Sequence, residues 1–399
     1  MSAHSEIENR KSKIDNRKSK IAIVGAGPAG SSLAIRLAEN GFDTVLIERD
    51  RFPRQKLCGE FISPECLVHF ERLGLLDSML TAGGDRIYET RFFEKGGKSI
   101  AIPSSWFGGG SFALSLSRAE MDHQLLIRAR NAGVAVFEST TVNRLDGDRG
   151  RVETITTRSE DAGGMEVEAD IFVDATGRAG ILTRLIGKSV HGSLENLQKP
   201  SFVGFKAHVT GAELAKGGCE IYSFPGGYAG LSNVENDRAN LCFLVRSDVV
   251  RTVAGSAPEI VKRVVLKNNR ASETIGNISA DDWLAVSING FGTKSLAPAR
   301  NLFTVGDAAS FIDPFTGSGM VMALESSEVL ASVIIANRES PERISAEYSS
   351  AYRQRFARRL RICSALRHSA FMPKLATAVV ASLGLSSGAR RLLARATRS

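Results

Sequence analysis

The sequence predicts an α/β fold: a Rossmann-like nucleotide-binding domain with an inserted antiparallel β-sheet and a helical C-terminus. Three observations predict it. A buried strand runs into the glycine turn G-x-G-x-x-G; two later strands end in Asp-Ala-Thr-Gly-Arg and in Gly-Asp; and a block of period-two runs lies between those two strands. The expected division is a disordered tail over 1–20, a discontinuous nucleotide-binding domain from 21–85, 110–185 and 285–340, a substrate-binding sheet domain from 86–109 and 186–284, and a basic helical region over 341–399.

The organising stretch runs from Ile21 to Glu48. Four apolar residues lead into Gly25, Gly27 and Gly30. Gly25 permits the tight turn, Gly27 lets the backbone approach a pyrophosphate, and Gly30 lets the following helix lie close on the strand. Pro28 and Ala29 occupy the first turn of that helix, where a missing N–H costs nothing and the free N–H groups face phosphate. Leu33, Ala34, Leu37 and Ala38 recur at helical spacing, Asn40-Gly41 ends the helix, and Thr44 to Ile47 forms the next strand. Glu48 closes that strand, about 20 residues beyond the turn, where a carboxylate accepts ribose hydroxyls, and Arg49 follows it.

A basic loop from Arg54 to Ile62 contains Lys56, Cys58 and Glu60. Ser63-Pro64 then reads as the cap and first turn of a helix. Residues 85–116 suggest short strands, and Ser117 to Glu120 has capping-box spacing, placing Arg118 at the start of a helix. Residues 141–157 and 165–169 read as a small antiparallel excursion before Ile171 to Val173 and the Asp174–Gly177 turn. In the period-two block Tyr222 and Phe224 share one face of a strand; with Tyr228 they are expected to wall a substrate site. Beyond the strand that ends in Asp307, Pro314, Gly317, Gly319 and Met320 lead into a long apolar helix, a second place where backbone N–H groups can face a ligand.

Net charge is +8, but it belongs to the ends: residues 350–399 carry eleven Lys and Arg and no acid, and the first twenty residues carry +3, leaving −6 for the body. This distribution argues against a nucleic-acid-reading surface and leaves the C-terminus able to rest peripherally on an anionic membrane. Five cysteines without paired spacing argue for a reducing, cytoplasmic setting, and no metal-binding spacing occurs.

Taken together, GAGPAG with Glu48, DATGR at 174–178 and GDAA at 306–309 followed by PFTGSG resemble the p-hydroxybenzoate hydroxylase-type FAD oxidoreductases over roughly residues 21–340. The resemblance implies that the first station, with Lys56 and Arg118 nearby, holds FAD. It also implies that Asp307 bonds the ribityl chain and that the helix after Gly319 points at the flavin. Within that superfamily PRQKLCGEFISP looks most like the geranylgeranyl reductase branch, which implies active-site roles for Cys58 and Glu60 and a lipid-like substrate. The stretch from Glu220 to Gly227 resembles that branch's Y-x-W-x-F-P signature with a departure at its Trp. Halogenases are close cousins, but their W-x-W-x-I-P signature is absent, since the only tryptophans are Trp106 and Trp283. One dinucleotide fingerprint implies resident FAD, with NAD(P)H or a protein electron carrier as transient reductant. C=C reduction is the first expectation and hydroxylation of an aromatic, polyketide or quinone-type compound the alternative.

Overall fold

The computed structural model describes residues 19–159, 163–191, 200–280, 282–312, 317–370 and 387–396. Its centre is a five-stranded parallel sheet in the order Leu302–Thr304, Ile171–Asp174, Lys20–Val24, Asp43–Ile47, Ala135–Phe137. These strands are short and apolar because both faces are covered. On one face pack the helices Pro28–Glu39, Arg118–Asn131 and Gly319–Ala336, burying Leu33, Leu37, Leu125 and Leu330 completely. Each such side chain contributes roughly 1.5–3 kcal/mol of burial. On the other face lies a three-stranded antiparallel sheet, Thr140–Asp148, Arg151–Ser159 and Gly163–Glu168, whose Val142, Leu145, Val152 and Ile155 meet Ala22, Val45 and Ile47. The excursion expected from sequence is therefore the second cover of the sheet.

The period-two block forms a large separate sheet. Its order is Ser279–Ala280, Phe202–Thr210, Arg238–Arg246, Gly227–Val234, Gly218–Phe224, Glu89–Phe93, Ser99–Pro103, with Leu284–Ile288 also pairing with Phe202–Thr210. Pairing is antiparallel except between Gly218–Phe224 and Glu89–Phe93, which run parallel because a long connection separates them in the chain. Asn236 and Asp237, both left-handed, close the central hairpin with a turn whose twist suits the strands.

Two expectations are corrected here. Ser63 stands at the N-cap position of the Pro64–Arg72 helix but makes no capping bond; its hydroxyl turns to the Cys66 sulfur at 3.5 Å. Tyr222 and Phe224 do share a strand face, but it is the face away from the cavity: both lie in the core between the large sheet and the helices Ala257–Arg263 and Asn269–Ile275. The Tyr222 hydroxyl donates to Glu220 Oε2 at 2.8 Å, and Glu220 is neutralised by Arg270. The pleat gives the cavity Cys219 and Ile221 instead.

The Gly319–Ala336 helix is long and apolar enough to cross a membrane, yet 61% of it is buried inside the protein. Its one buried acid, Glu325, pairs with Arg359 at 2.5 Å and Arg355 at 2.6 Å from the Ile344–Ala370 helix. Removing one member of a buried pair leaves an uncompensated charge. Glu325→Ala is therefore expected to destabilise the chain by about 3–5 kcal/mol, measured by denaturant unfolding, and the charge-free pair Glu325→Leu/Arg359→Leu is expected to recover most of that loss.

Candidate functional site

The C-terminal ends of the parallel strands converge on one edge, so the Gly25 turn, Glu48, the Thr176–Gly177 turn and Gly306-Asp307 lie side by side, where open α/β sheets bind ligands. Gly25 has φ +103°, and a Cβ there would stand 2.4 Å from the Ala175 carbonyl oxygen. At Gly30 a Cβ would stand 1.8 Å from the Gly25 oxygen. The protein's own backbone thus demands both glycines. Gly27 differs: its Cβ would meet only Arg118 Nη2 at 3.8 Å, so nothing in the chain excludes a side chain there. The space it leaves opens on a cavity of about 670 Å³ that Pro28 and Ala29 also border. Glu48 borders it too, accepting the Ala26 N–H at 2.8 Å and the Asp50 N–H at 3.1 Å and keeping lone pairs for further donors.

Arg118 enters the cavity from its helix start, where Ser117 caps the Glu120 N–H at 3.1 Å as the capping box predicts. Asp122, one turn on and fully buried, accepts from Arg118 Nε and Nη2 at 2.9 and 2.6 Å and from Arg54 Nη1 at 2.6 Å. Burial works to raise the Asp122 carboxyl, but Arg118 and Arg54 outweigh it and hold it below the usual range. Two guanidinium groups are thereby fixed at the cavity on one carboxylate. Arg49 and Lys56 stand at the mouth, both bonded to Asp50, whose carboxyl they hold at about 2 against the opposing effect of burial.

Asp307 borders the cavity opposite. Burial pushes its carboxyl up, against the pull of Arg178, Arg118 and Lys294, and no hydrogen bond to it is found among the described residues. Beside it Gly306, at φ +59°, has no room for a Cβ, which would meet Ala29 Cβ at 2.9 Å. Gly177, Gly317, Gly319 and Met320 complete this end, and a Cβ at Gly177 or Gly319 would meet no neighbour. Asp174, a strand-end acid that could serve either cofactor or turn, serves the turn: it is fully buried behind the cavity and holds its own loop, accepting from Thr176 N and Oγ1 and from Thr183 N and Oγ1 at 2.6–3.1 Å. Tyr228 borders the cavity, as expected, whereas Tyr222 and Phe224 do not; Pro314 falls outside the described residues.

The Cys58–Glu60 loop forms the floor. Cys58 Sγ receives the Glu60 N–H at 3.4 Å and lies within reach of the Arg118 guanidinium. Glu60 is left-handed at φ +54°, a conformation that costs a non-glycine residue about 1 kcal/mol or more. It has no exposure to water. It does not pair with Lys56, as its place in the basic loop suggests. One oxygen accepts the Arg118 backbone N–H at 2.7 Å and an ammonium hydrogen of Lys206, and the other meets His208 Nε2 at 2.7 Å. Lys206 and His208 are invisible as site residues in the sequence, where Phe205-Lys206-Ala207-His208-Val209 reads as a strand with a solvated outer face. Arg54 was legible only as part of a basic loop, and Asp122 only through its four-residue spacing from Arg118. A larger groove of about 1030 Å³ along Lys20, Asp43 and Thr154 holds none of these stations.

A protein-family model described as "FAD binding domain" matches residues 18–361. The chain is 26% identical over 348 residues to digeranylgeranylglycerophospholipid reductase 2 of Methanopyrus kandleri, covering 84% of this chain and 81% of that protein. It is 25% identical to tryptophan 2-halogenase of Chondromyces crocatus, covering 79% of this chain and 60% of that one. Among solved structures, the flavin-dependent brominase Bmp2 superposes with a TM-score of 0.77 at 18% identity, over 95% of this chain and 94% of that one.

The cavity fits the dinucleotide on its own terms. Gly27 leaves backbone room at a helix N-terminus for a pyrophosphate, Arg118 supplies its counter-charge, and the unpartnered Asp307 offers an acceptor to polyol hydroxyls. Gly27→Ala is expected to keep the melting temperature of the FAD-free chain and weaken FAD binding at least tenfold, about 1.4 kcal/mol, by fluorescence titration; Gly30→Ala is expected to lose the fold. Because burial raises the Asp307 pKa, its ionised form burdens the FAD-free chain at neutral pH. Asp307→Asn should therefore raise thermal stability there, and the advantage should shrink once pH falls below the raised pKa and be gone below the ordinary carboxyl value of about 4. FAD affinity should fall in the same variant.

Proposed function

The chain belongs to the FAD-binding-domain family, and from that premise, an FAD-dependent oxidoreductase acting on a hydrophobic small molecule, we propose that it hydroxylates a neutral aromatic or quinone-type substrate with molecular oxygen. The observation that carries the reading is the wall facing the FAD stations. The large sheet presents Phe92, Ile221, Tyr228 and Leu244 there, with the thiols of Cys219 and Cys242 between them. Burial pushes Cys219 up to about 12 and raises Cys242 as well, so both are uncharged at neutral pH. A neutral, largely apolar wall selects a neutral, flat or greasy substrate and keeps water from the reacting atoms.

FAD, when bound, supplies the electron transfer and the activation of oxygen. The protein's residues orient it: Gly27, Arg118 and Asp307 hold the two ends, and the Gly319 helix start faces the cavity from the far side. NAD(P)H or a protein carrier supplies the electrons. Likeness to the Chondromyces enzyme, named for an aromatic substrate, supports an aromatic ligand.

A second reading, C=C reduction of an isoprenoid-like lipid, is favoured by one feature. Cys58 places a thiol at the cavity floor beside Arg118, where it can protonate a carbon while a hydride arrives from the cofactor. Likeness to the Methanopyrus reductase supports this reading. Exposed Arg391, Leu392 and Arg395 on the Ser387–Ala396 helix would suit contact with an anionic membrane, where such a lipid would be found.

The test is mass spectrometry of a lipid and quinone extract incubated with chemically reduced enzyme, with and without oxygen and with bromide in a parallel sample. A product heavier by one oxygen atom, formed only with oxygen, is the expected outcome. A product gaining two hydrogens anaerobically would replace it with the second reading, and bromide incorporation would make the enzyme a halogenase.

A further inference from the structure

We propose that His208 and Glu60 form a proton path into the flavin cavity from the partly solvated rim of the junction between the large sheet and the Cys58–Glu60 loop, with Lys206 fixing the Glu60 carboxylate beside it. The path rests on the family's flavin chemistry and serves hydroxylation and C=C reduction alike. Hydroxylation, S–H + O2 + NAD(P)H + H⁺ giving S–OH + NAD(P)⁺ + H2O, takes one proton from solvent. Reduction, C=C + NAD(P)H + H⁺ giving HC–CH + NAD(P)⁺, takes one as well. In both cases that proton must reach a site walled by apolar side chains.

The geometry supplies a route. Glu60 borders the cavity without itself being reached by water. Its Oε1 is occupied twice over, by the Arg118 N–H and by Lys206. Lys206 is held in turn by Gln55 Oε1 at 2.9 Å and the Lys56 carbonyl at 3.3 Å. Its ammonium is 2% exposed and serves as the buried counter-charge. Among the described residues Oε2 has one partner, His208 Nε2 at 2.7 Å. The His208 side chain, on the same strand face as Lys206, is 12% exposed and does not border the cavity, so it meets water outside the cavity. A carboxylate with one oxygen fixed and the other bonded to a partly solvated imidazole can take a proton on one side and release it on the other.

The titratable and charged groups facing Glu60 are Lys206 and His208 from the Phe202–Thr210 strand, Arg118 from its helix start, Cys58 from the same loop and Cys242 from the adjoining strand. Neutral Asn240 stands opposite His208 in the sheet. His208 and Lys206 act through Glu60 and are positioning residues.

Three variants test the path: His208→Ala and His208→Gln, at a partly exposed position, and the charge-balanced pair Glu60→Gln/Lys206→Met. In FAD-free protein, nitrogen NMR of the six histidines identifies His208 by its loss in His208→Gln. The double variant is expected to shift that Nε2 resonance, and an unmoved resonance would overturn the path. In FAD-loaded protein, photochemically reduced enzyme is mixed with oxygen, a reaction that takes up a proton for each hydrogen peroxide released. His208→Ala and His208→Gln are expected to slow reoxidation at least tenfold with a larger solvent deuterium isotope effect, and added imidazole to restore the Ala variant. Parent-like rates, or no rescue by imidazole, would overturn the path while leaving FAD binding intact. A parent chain that takes up no FAD would overturn the flavin reading and the path with it.

Discussion

The rest of the structure depends on one close approach: the Gly25 backbone lies against the Ala175 carbonyl, and the helix that follows lies against Gly25 through Gly30. No side chain fits at either contact, so the first helix is drawn onto the two central strands. The next layer repeats the pattern with small residues. Ser32 on that helix meets Ser327 on the Gly319–Ala336 helix at 2.6 Å, and Gly306 leaves room only for Ala29. Close packing of this kind transmits position rather than absorbing error. It fixes the helix start at Gly27 relative to Asp307, two stations that border the same cavity.

A second constraint joins the two sheets. A carboxylate removed from water must be neutralised, and Glu60 in the nucleotide-binding half finds its cation, Lys206, in the large sheet. The pair costs desolvation on both sides, and its orientation is what that cost maintains: the loop carrying Cys58 is set against the large sheet. The left-handed backbone at Glu60 fits the same account, since it persists only where surrounding contacts over-determine it.

The nucleotide-binding half was largely legible in the sequence because its requirements are local. A glycine turn, an acid at the next strand end and a capping box lie within a few residues of what they bind, and the structure places Gly25, Gly27, Glu48 and Arg118 together at one edge. The large sheet was less legible. Alternation identifies a strand but not which face meets the cavity, so Tyr222 and Phe224 read as a wall and prove to be core, while buried Lys206 and partly exposed His208, on the opposite face of a neighbouring strand, prove to reach Glu60 at the domain junction. Asp174 is ambiguous in sequence for a related reason: a strand-end acid can serve a ligand or its own turn, and only the positions of Thr176 and Thr183 decide.

The buried Gly319–Ala336 helix has a consequence for biosynthesis. Eighteen residues of this hydropathy, leaving the ribosome exposed, carry the signature by which nascent chains are routed into a bilayer. Its partners, the Pro28–Glu39 and Pro64–Arg72 helices, precede it by some 250 residues, and at about 5–20 residues per second they have tens of seconds of head start. The order of segments along the chain thus gives the apolar helix a docking surface as soon as it emerges, and a circularly permuted chain that makes this helix first would lose that protection.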